Sequence, residues 1–191
     1  MSSSSSVDRS LRRFKPEKHQ QRLQPRDRSR LLFLGRLDRP LPKLLLDTTV
    51  YIDELQGRLP PEAELALRAA DLWHSSVTGA EMIALAGLLD PRHRDTPRAV
   101  RQIALSLDKR PGHRMINPDE EIWREAGILA GLLARLQQYG RAERRRVLND
   151  ALILLSAAKH GCAVLTRNVA DFDLLMQLAP FAKAVFYVRG Q

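Results

Sequence analysis

The sequence predicts an α/β fold in which helices cover both faces of a mainly parallel central sheet. Short apolar runs of strand length alternate with longer segments whose apolar residues recur at helical spacing. Several of these short runs are apolar throughout, as is typical of strands buried on both faces. A chain of 191 residues is long enough for one domain with a hydrophobic core and too short for two. In such a domain, ligands bind at the carboxyl ends of the strands.

The first 43 residues differ from the rest of the chain in charge. They contain 12 Lys and Arg against 4 Asp and Glu, whereas the remainder is almost neutral, with 19 against 18. Polar sequence with few periodic apolar residues is typical of a flexible segment. We therefore expect a basic flexible arm over residues 1–43 and the folded domain over residues 44–191. Such an arm fits either a tether to nucleic acid or a solubilising tail.

The folded domain is predicted to begin with a strand at residues 44–46, which ends abruptly at Asp47. A helix capped by Thr48 or Thr49 follows it. In chain order, the later elements are a helix over 62–72, a strand over 73–77, helices over 78–89 and 97–107, a strand at 115–116, helices over 118–139 and 149–160, a strand over 162–165, a helix over 171–178 and a strand over 184–188. Residues 141–146 are a basic loop or the start of a helix.

Composition excludes several classes of protein. Cys162 is the only cysteine, which excludes an intrachain disulfide and a cysteine-rich zinc site and is compatible with a reducing cytosol. No apolar run is long enough to span a bilayer, and the N-terminus does not resemble a secretory signal. No glycine-rich phosphate loop is present, which disfavours an ATPase or GTPase. We therefore expect a cytoplasmic protein with no membrane partner.

Four acids in different parts of the chain are candidates for a metal site: Asp47, Glu81, Asp150 and Asp171. Mg²⁺ takes oxygen ligands and keeps several waters, so a few carboxylates are sufficient to hold it. One or two such ions can promote hydrolysis of a phosphodiester. Each acid also has a structural interpretation. The three aspartates could cap the helices that they precede, and Glu81 could pair with Thr78 in a capping box.

Four stretches that contain these acids resemble, in order, the motifs of PIN-domain nucleases. They are LLLDTTVYI at residues 44–52, SSVTGAE at 75–81, NDALI at 149–153 and VLTRNVADF at 164–172. The resemblance extends over about residues 44–188, and the last motif is most similar to that of the VapC toxins of bacterial type II toxin–antitoxin systems. Thr49 departs from the pattern, because many relatives have Asn there.

This resemblance implies a three-layer α/β/α PIN-like fold and endonucleolytic cleavage of RNA with Mg²⁺, for which Mn²⁺ could substitute. It makes the four acids both the catalytic and the metal-binding residues, with Thr48, Thr166 and Asn168 in support. Thr166 could instead cap a strand end. The match favours Asp171 over the neighbouring Asp173, which is expected to be only an acidic residue in the first turn of the helix. The resemblance also implies a homodimer and a small antitoxin protein as partners.

Basic residues are the candidates for contact with the RNA backbone. They are Arg141, Arg144, Arg145, Arg146 and Arg167, with Arg144, Arg145 and Arg167 foremost. A run of charges is also typical of a solvated face. Two other functions stay open: a PIN-like module that binds nucleic acid without cleaving it, and an RNA-processing nuclease that is not a toxin.

Overall fold

The centre of the protein is a five-stranded sheet whose paired strands all run parallel. This computed structural model describes residues 5–37 and 40–189. The sheet order is β3-β2-β1-β4-β5, and the strands are β1 Leu44–Leu46, β2 Leu72–Ser75, β3 Met115–Ile116, β4 Ala163–Thr166 and β5 Ala184–Phe186. The predicted mainly parallel sheet is confirmed. Residues 1–4 and 38–39 of the predicted arm, and residues 190–191 of the predicted domain, lie outside the described residues.

Helices surround the sheet. They are α1 Ser6–Phe14, α2 Thr48–Leu55, α3 Pro61–Ala69, α4 Ser76–Leu88, α5 Thr96–Asp108, α6 Glu120–Gln137, α7 Arg141–Lys159 and α8 Val169–Leu178, with short 3₁₀ turns at Pro16–Lys18, Arg28–Arg30, Leu34–Arg36 and Gly112–Arg114. Within the described part of the chain, no helix combines the length and apolarity needed to cross a membrane.

The core lies in two layers, one on each face of the sheet. Alternate strand residues enter different layers, because successive side chains of a strand point to opposite faces. Leu45 and Val164 pack in the layer formed with α6, α7 and α8. Leu44 and Leu165 pack in the layer formed with α2, α3 and residues of α4 and α5. The predicted three-layer α/β/α arrangement is confirmed.

Helix α7 begins eight residues earlier than the helix predicted over 149–160, and this places Asp150 in its middle. The basic stretch 141–146 forms its first turns, with Gly140 as the N-cap residue. Arg, Ala and Glu are strong helix formers and extend a helix without apolar periodicity. Helix α4 likewise begins before the predicted position, because the Ser75 hydroxyl accepts a hydrogen bond from the Val77 amide at 3.1 Å.

The N-terminal segment (residues 5–37) lies against the domain, which differs from the flexible arm that the sequence predicts. Helix α1 packs on α6, and Phe14, Leu31 and Leu34 are buried. The Leu32 carbonyl accepts a hydrogen bond from the Phe186 amide at 2.8 Å, so the segment meets the edge strand β5. Val7, Leu11 and Phe14 recur at helical spacing in α1, a short pattern that the sequence analysis missed. Phe14, Leu31 and Leu34 join the core of the domain.

Candidate active site

Side chains of four elements meet at the carboxyl ends of β1 and β4. Asp47 follows β1 and is the N-cap residue of α2, and Glu81 lies in the second turn of α4. Asp150 lies in the middle of α7, and Asp171 in the first turn of α8. The three aspartates are buried and Glu81 is partly buried. Asp47, Asp171 and Glu81 each raise the pKa of Asp150 by electrostatic repulsion, so the three side chains lie near it. The region between these four acids is called the acidic pocket.

Hydroxyl groups hold the Asp47 carboxylate. Thr49 Oγ1 and Thr166 Oγ1 each donate to Asp47 Oδ2 at 2.7 Å. Burial raises the pKa of Asp47, and these hydrogen bonds oppose that rise. Asp47 also caps α2 through the Thr49 amide at 3.4 Å. It therefore has the structural role that the sequence allowed, together with a place in the pocket.

Glu81 is held from two sides. The Thr48 hydroxyl donates to Glu81 Oε2, and Asn149 Nδ2 donates to Glu81 Oε1 at 2.8 Å. Burial raises the pKa of Glu81, and the Asp47 charge adds to the rise. Ser75 caps α4, while the Thr78 hydroxyl donates to the Leu46 carbonyl at 3.3 Å. The capping-box interpretation of Glu81 is therefore wrong.

Asp150 is the acid whose pKa is raised by all three of the other carboxylates. Burial is the main cause that raises its pKa well above the usual value, followed by repulsion from the other three acids. Asn168 Nδ2 donates to Asp150 Oδ2 at 3.3 Å. Since Asp150 is more than two turns from either end of α7, it is not the helix cap that the sequence allowed.

Asp171 is joined to the same asparagine. Asn168 is the N-cap residue of α8, accepts from the Asp171 amide at 3.3 Å and donates to Asp171 Oδ2 at 2.9 Å. Asn168, and not Asp171, therefore caps this helix. Arg146 Nε lies 3.2 Å from Asp171 Oδ2. Burial and the nearby Asp171 raise the pKa of Tyr139, which places this phenol beside the pocket.

The structure brings together the three supporting residues predicted from sequence and adds others that the sequence analysis missed. Thr49 contacts Asp47, Asn149 contacts Glu81 and Tyr139 neighbours Asp171. Asn149 could have been found, because it directly precedes Asp150 in a motif. Tyr139 follows the end of α6 and belongs to none of the four motifs, so the sequence does not link it to the acids.

The predicted RNA-binding arginines have different surroundings. Arg144 and Arg145 are exposed on the first turns of α7, and Arg144 Nε donates to the Tyr139 carbonyl at 3.1 Å. Arg167 is engaged inside the domain, where its Nε donates to Asp53 Oδ2 at 2.7 Å. Asp173 is buried and pairs with Arg26 at 2.5 Å, so it joins the N-terminal segment to α8.

The oxygen donors of the pocket suit a hard divalent cation. In the two described ranges of the chain, no three or more His, Cys, Asp or Glu side chains are already arranged to hold one metal ion. Mg²⁺ is usually bound through one or two carboxylates and keeps several waters, so a ready-made cage is not required. A cation would also relieve the repulsion that raises the pKa of Asp150. The donor set therefore fits such an ion.

Comparison with protein families matches residues 44–173 to the PIN domain. Comparison with curated proteins finds no match. Among solved structures, FitAcB from Neisseria gonorrhoeae is 21% identical over 75% of this chain and 96% of that chain, with a TM-score of 0.54. FitAB bound to an IR36 DNA fragment is 23% identical over 75% of this chain and 93% of that chain, with a TM-score of 0.50. These two likenesses concern the fold.

Proposed function

Because this chain belongs to the PIN domain family, whose members are generally nucleases, we propose that it is a metal-dependent endoribonuclease. The observation that carries this proposal is the position of Asp150, a buried carboxylate in the middle of α7 that Asn168 joins to the carboxylate of Asp171. A fold does not keep such a group for stability, because an unpaired buried charge is costly. A cation that enters the pocket would balance it.

The residues of the pocket have separable roles in the proposed reaction. Asp47 and Asp150 would hold a Mg²⁺ or Mn²⁺ ion, and Glu81 and Asp171 would complete its surroundings directly or through water. When bound, such an ion activates water and neutralises charge on the leaving oxygen of a phosphodiester. Thr166 fixes the Asp47 carboxylate, Thr48 fixes Glu81 and Asn168 fixes the two aspartates that it joins.

We further propose that RNA reaches this pocket across the first turns of α7. Arg144 and Arg145 are exposed there, on the helix that carries Asp150. Contacts from such side chains to phosphates position a strand without reading its bases. Arg167 could contribute only through the guanidinium nitrogens that do not bind Asp53. We assign nuclease activity to residues 44–191 and an accessory role in RNA binding to residues 1–43.

The experiment that tests the reaction is cleavage of total RNA with Mg²⁺, with Mn²⁺ and with a chelator. We expect cleavage that requires metal and a loss of more than about 100-fold in Asp150→Asn, since even outer partners of metal ligands contribute about 10–100-fold. Glu62→Gln, at an exposed position of α3, is the matched control. Full activity of Asp150→Asn would contradict the proposal. RNA binding without cleavage by the unmodified protein would identify the non-cleaving module instead.

A role as the toxin of a toxin–antitoxin pair, in the cytoplasm, extends this proposal. It is supported by the likeness of the last motif to that of VapC toxins. Expression of the protein in bacteria should arrest growth, and the Asp150→Asn variant should not. Growth that continues while RNA is cleaved in vitro would favour an RNA-processing enzyme over a toxin.

An apolar face of α4 supports the proposed homodimer. Ile83 is 55% exposed and Leu88 is 81% exposed, and Ala80, Ala84 and Gly87 lie exposed beside them. Exposed apolar patches mark surfaces that associate with other proteins. Sedimentation should show a dimer for the unmodified protein and a monomer for Ile83→Glu/Leu88→Glu. A dimer that survives this double substitution would place the interface elsewhere.

A further inference from the structure

The middle of the N-terminal segment, residues 19–26, has no regular secondary structure and is held by side chains of two helices. Gln137, the last residue of α6, donates from Nε2 to the Leu23 carbonyl at 3.0 Å. Gln177 of α8 donates in the same way to the Gln24 carbonyl, also at 3.0 Å. This part of the chain is therefore fixed in place although it belongs to no helix or strand.

Arg22 is exposed on this stretch and lies at the end of α6 that leads into the acidic pocket. Its Nε donates to Gln137 Oε1 at 3.1 Å. Tyr139 follows two residues after Gln137 and neighbours Asp171. Burial and the Asp171 carboxylate raise the pKa of Tyr139, and the charge of Arg22 opposes that rise. The N-terminal segment therefore places a cation beside the phenol that borders the pocket.

A second exposed arginine reaches the same place from α7. Arg146 precedes Asp150 by four residues, so both side chains lie on one face of this helix. Arg146 Nε lies 3.2 Å from Asp171 Oδ2, and 58% of its side chain is exposed. Its charge acts on Tyr139 in the same direction as the charge of Arg22. Two arginines from distant parts of the chain therefore lie close to one edge of the acidic pocket.

Arg22 has hydrogen-bond donors left for a ligand. Among the residues that the structure describes, it forms no ion pair, and its two terminal guanidinium nitrogens have no acceptor. A guanidinium matches the geometry of phosphate oxygens, and such contacts hold a strand without reading its bases. A pocket of four acids repels a polyanion, so a polyanionic substrate requires cations at the edge of that pocket. Arg22 meets this requirement from outside the nuclease domain.

We propose that the N-terminal segment supplies Arg22 as a phosphate-binding residue of the RNA site, which then extends from the first turns of α7 across the acidic pocket to residues 19–26. The inference rests on the proposed RNA substrate, and it gives the accessory role of residues 1–43 one residue and one position. Arg22 lies outside residues 44–173, which match the PIN domain. This contact is therefore an addition to the part of the chain that the family shares.

The test is the binding of a short fluorescent oligouridylate to the full chain at several KCl concentrations. A chelator and the Asp150→Asn background prevent cleavage. Each phosphate that a protein cation neutralises contributes about −0.7 to the slope of log K against log [KCl] for a single strand. We expect Arg22→Gln to make this slope shallower by about 0.7 and to weaken binding about fivefold at about 0.1 M KCl. An unchanged slope would overturn the proposal.

The matched control is Arg12→Gln, which removes the same charge from an exposed position of α1. Its neighbour Arg13 pairs with Glu125. Glu125 precedes Gln137 by twelve residues, which is about 18 Å along α6. Arg12→Gln should therefore leave the slope unchanged. A slope that falls equally in both variants would show that only the net charge of the segment matters, and would also overturn the proposal.

A second variant separates a phosphate contact from a role in docking the segment. Arg22→Lys keeps the charge, and it should restore the slope of the unmodified protein. Arg22→Gln should unfold within about 4 °C of the unmodified protein, because it removes one exposed hydrogen bond. A larger fall, or a loss of slope in Arg22→Lys equal to that in Arg22→Gln, would assign Arg22 to the fold and refute the contact with RNA.

Failure of this inference can be distinguished from failure of the proposed nuclease function. If the protein cleaves RNA, Arg22→Gln should raise KM about fivefold and leave kcat unchanged, because it removes a contact that the ground state and the transition state share. RNA that binds through Arg22 and is not cleaved would keep the inference and refute the reaction. Metal-dependent cleavage with binding that is independent of Arg22 would refute the inference and keep the reaction.

Discussion

The protein buries two kinds of carboxylate, and their partners differ. Asp53 is completely buried and lies 2.7 Å from Arg167 and 2.9 Å from Arg189, and it also accepts from Tyr187 Oη at 2.8 Å. Asp173 has Arg26 in the same way. The hydrogen-bond donors to Asp47, Glu81 and Asp150 are instead uncharged hydroxyl and amide groups. Asp171, the fourth acid of the pocket, has both kinds of partner, the Asn168 amide and Arg146 Nε at 3.2 Å.

This difference distinguishes acids with a structural role, Asp53 and Asp173, from the acids of the pocket, which we propose to bind a metal ion. Removing one member of a buried ion pair leaves an uncompensated charge, so the loss of a paired acid destabilises the fold. Burial and repulsion from the neighbouring carboxylates both disfavour the charged form of Asp150, a cost to stability that is typical of functional sites.

Substitution of one acid from each set gives the largest expected contrast. Asp53→Asn should lower the free energy of unfolding by about 3 kcal/mol, at the low end for a buried pair because its arginines are partly exposed. Asp150→Asn, without metal, should raise it by about 1 kcal/mol, the usual scale for relief of a strained functional site. Urea denaturation of both variants measures this. Equal destabilisation would erase the distinction between the two sets.

Addition of metal should act on one set only. At a Mn²⁺ concentration one hundred times the dissociation constant, binding stabilises the folded state by about 2.7 kcal/mol. Thermal unfolding should therefore shift upward in the unmodified protein and hardly at all in Asp150→Asn. The control is Glu125→Gln, which removes a buried acid that pairs with Arg13 and is not one of the four pocket acids. This variant should keep most of the shift. A shift that is equal in Asp150→Asn would show that the ion binds elsewhere.

Removal of the asparagine between two acids should have a smaller effect. Asn168→Ala should reduce kcat/KM for RNA about 10-fold, the lower end for groups that orient metal ligands. It should also cost about 1 kcal/mol of stability, because Asn168 caps α8. Asn168→Ser keeps a capping hydroxyl but removes the amide that donates to Asp150 and Asp171, so it should restore stability without restoring activity. Recovery of both properties would reduce Asn168 to a helix cap.

The pH dependence of stability provides the finest comparison. Because the pKa of Asp150 is raised in the folded state, its stabilising contribution is fully present below the ordinary carboxyl pKa and is lost as pH rises through the folded value. Without metal, the unmodified protein should therefore gain stability relative to Asp150→Asn as pH falls from 8 towards 4. Denaturation at several pH values measures the difference, and a gain in the opposite direction would contradict the raised pKa.

Local patterns in the sequence were sufficient to predict the sheet and the position of Asp47 at a strand end. The apolar run 44–46 ends at Asp47, and in a parallel sheet the carboxyl ends of strands share one edge. The sequence leaves the start of α7 open, with residues 141–146 as either a loop or the start of a helix, because these residues have no apolar periodicity. Their helix propensity decides between the two, and α7 begins at Arg141.

Long-range pairing explains the rest of what the sequence analysis missed. Nothing near Asp53 in the sequence shows that it is an ion-paired acid. Its partners, Arg167 and Arg189, lie more than one hundred residues away. Arg167 was predicted to bind RNA, and nothing local indicates that Asp53 engages it. The docking of the N-terminal segment depends in the same way on partners near the other end of the chain.

That docking has a consequence for synthesis. The ribosome makes residues 5–37 long before the residues that they contact: Phe14 packs near Phe181, Arg26 pairs with Asp173 and Phe33 meets Phe186. Contacts of such separation close the largest loops a chain can form and are slow to form. This segment must therefore wait until α8 and β5 have been synthesised before it can dock on the domain.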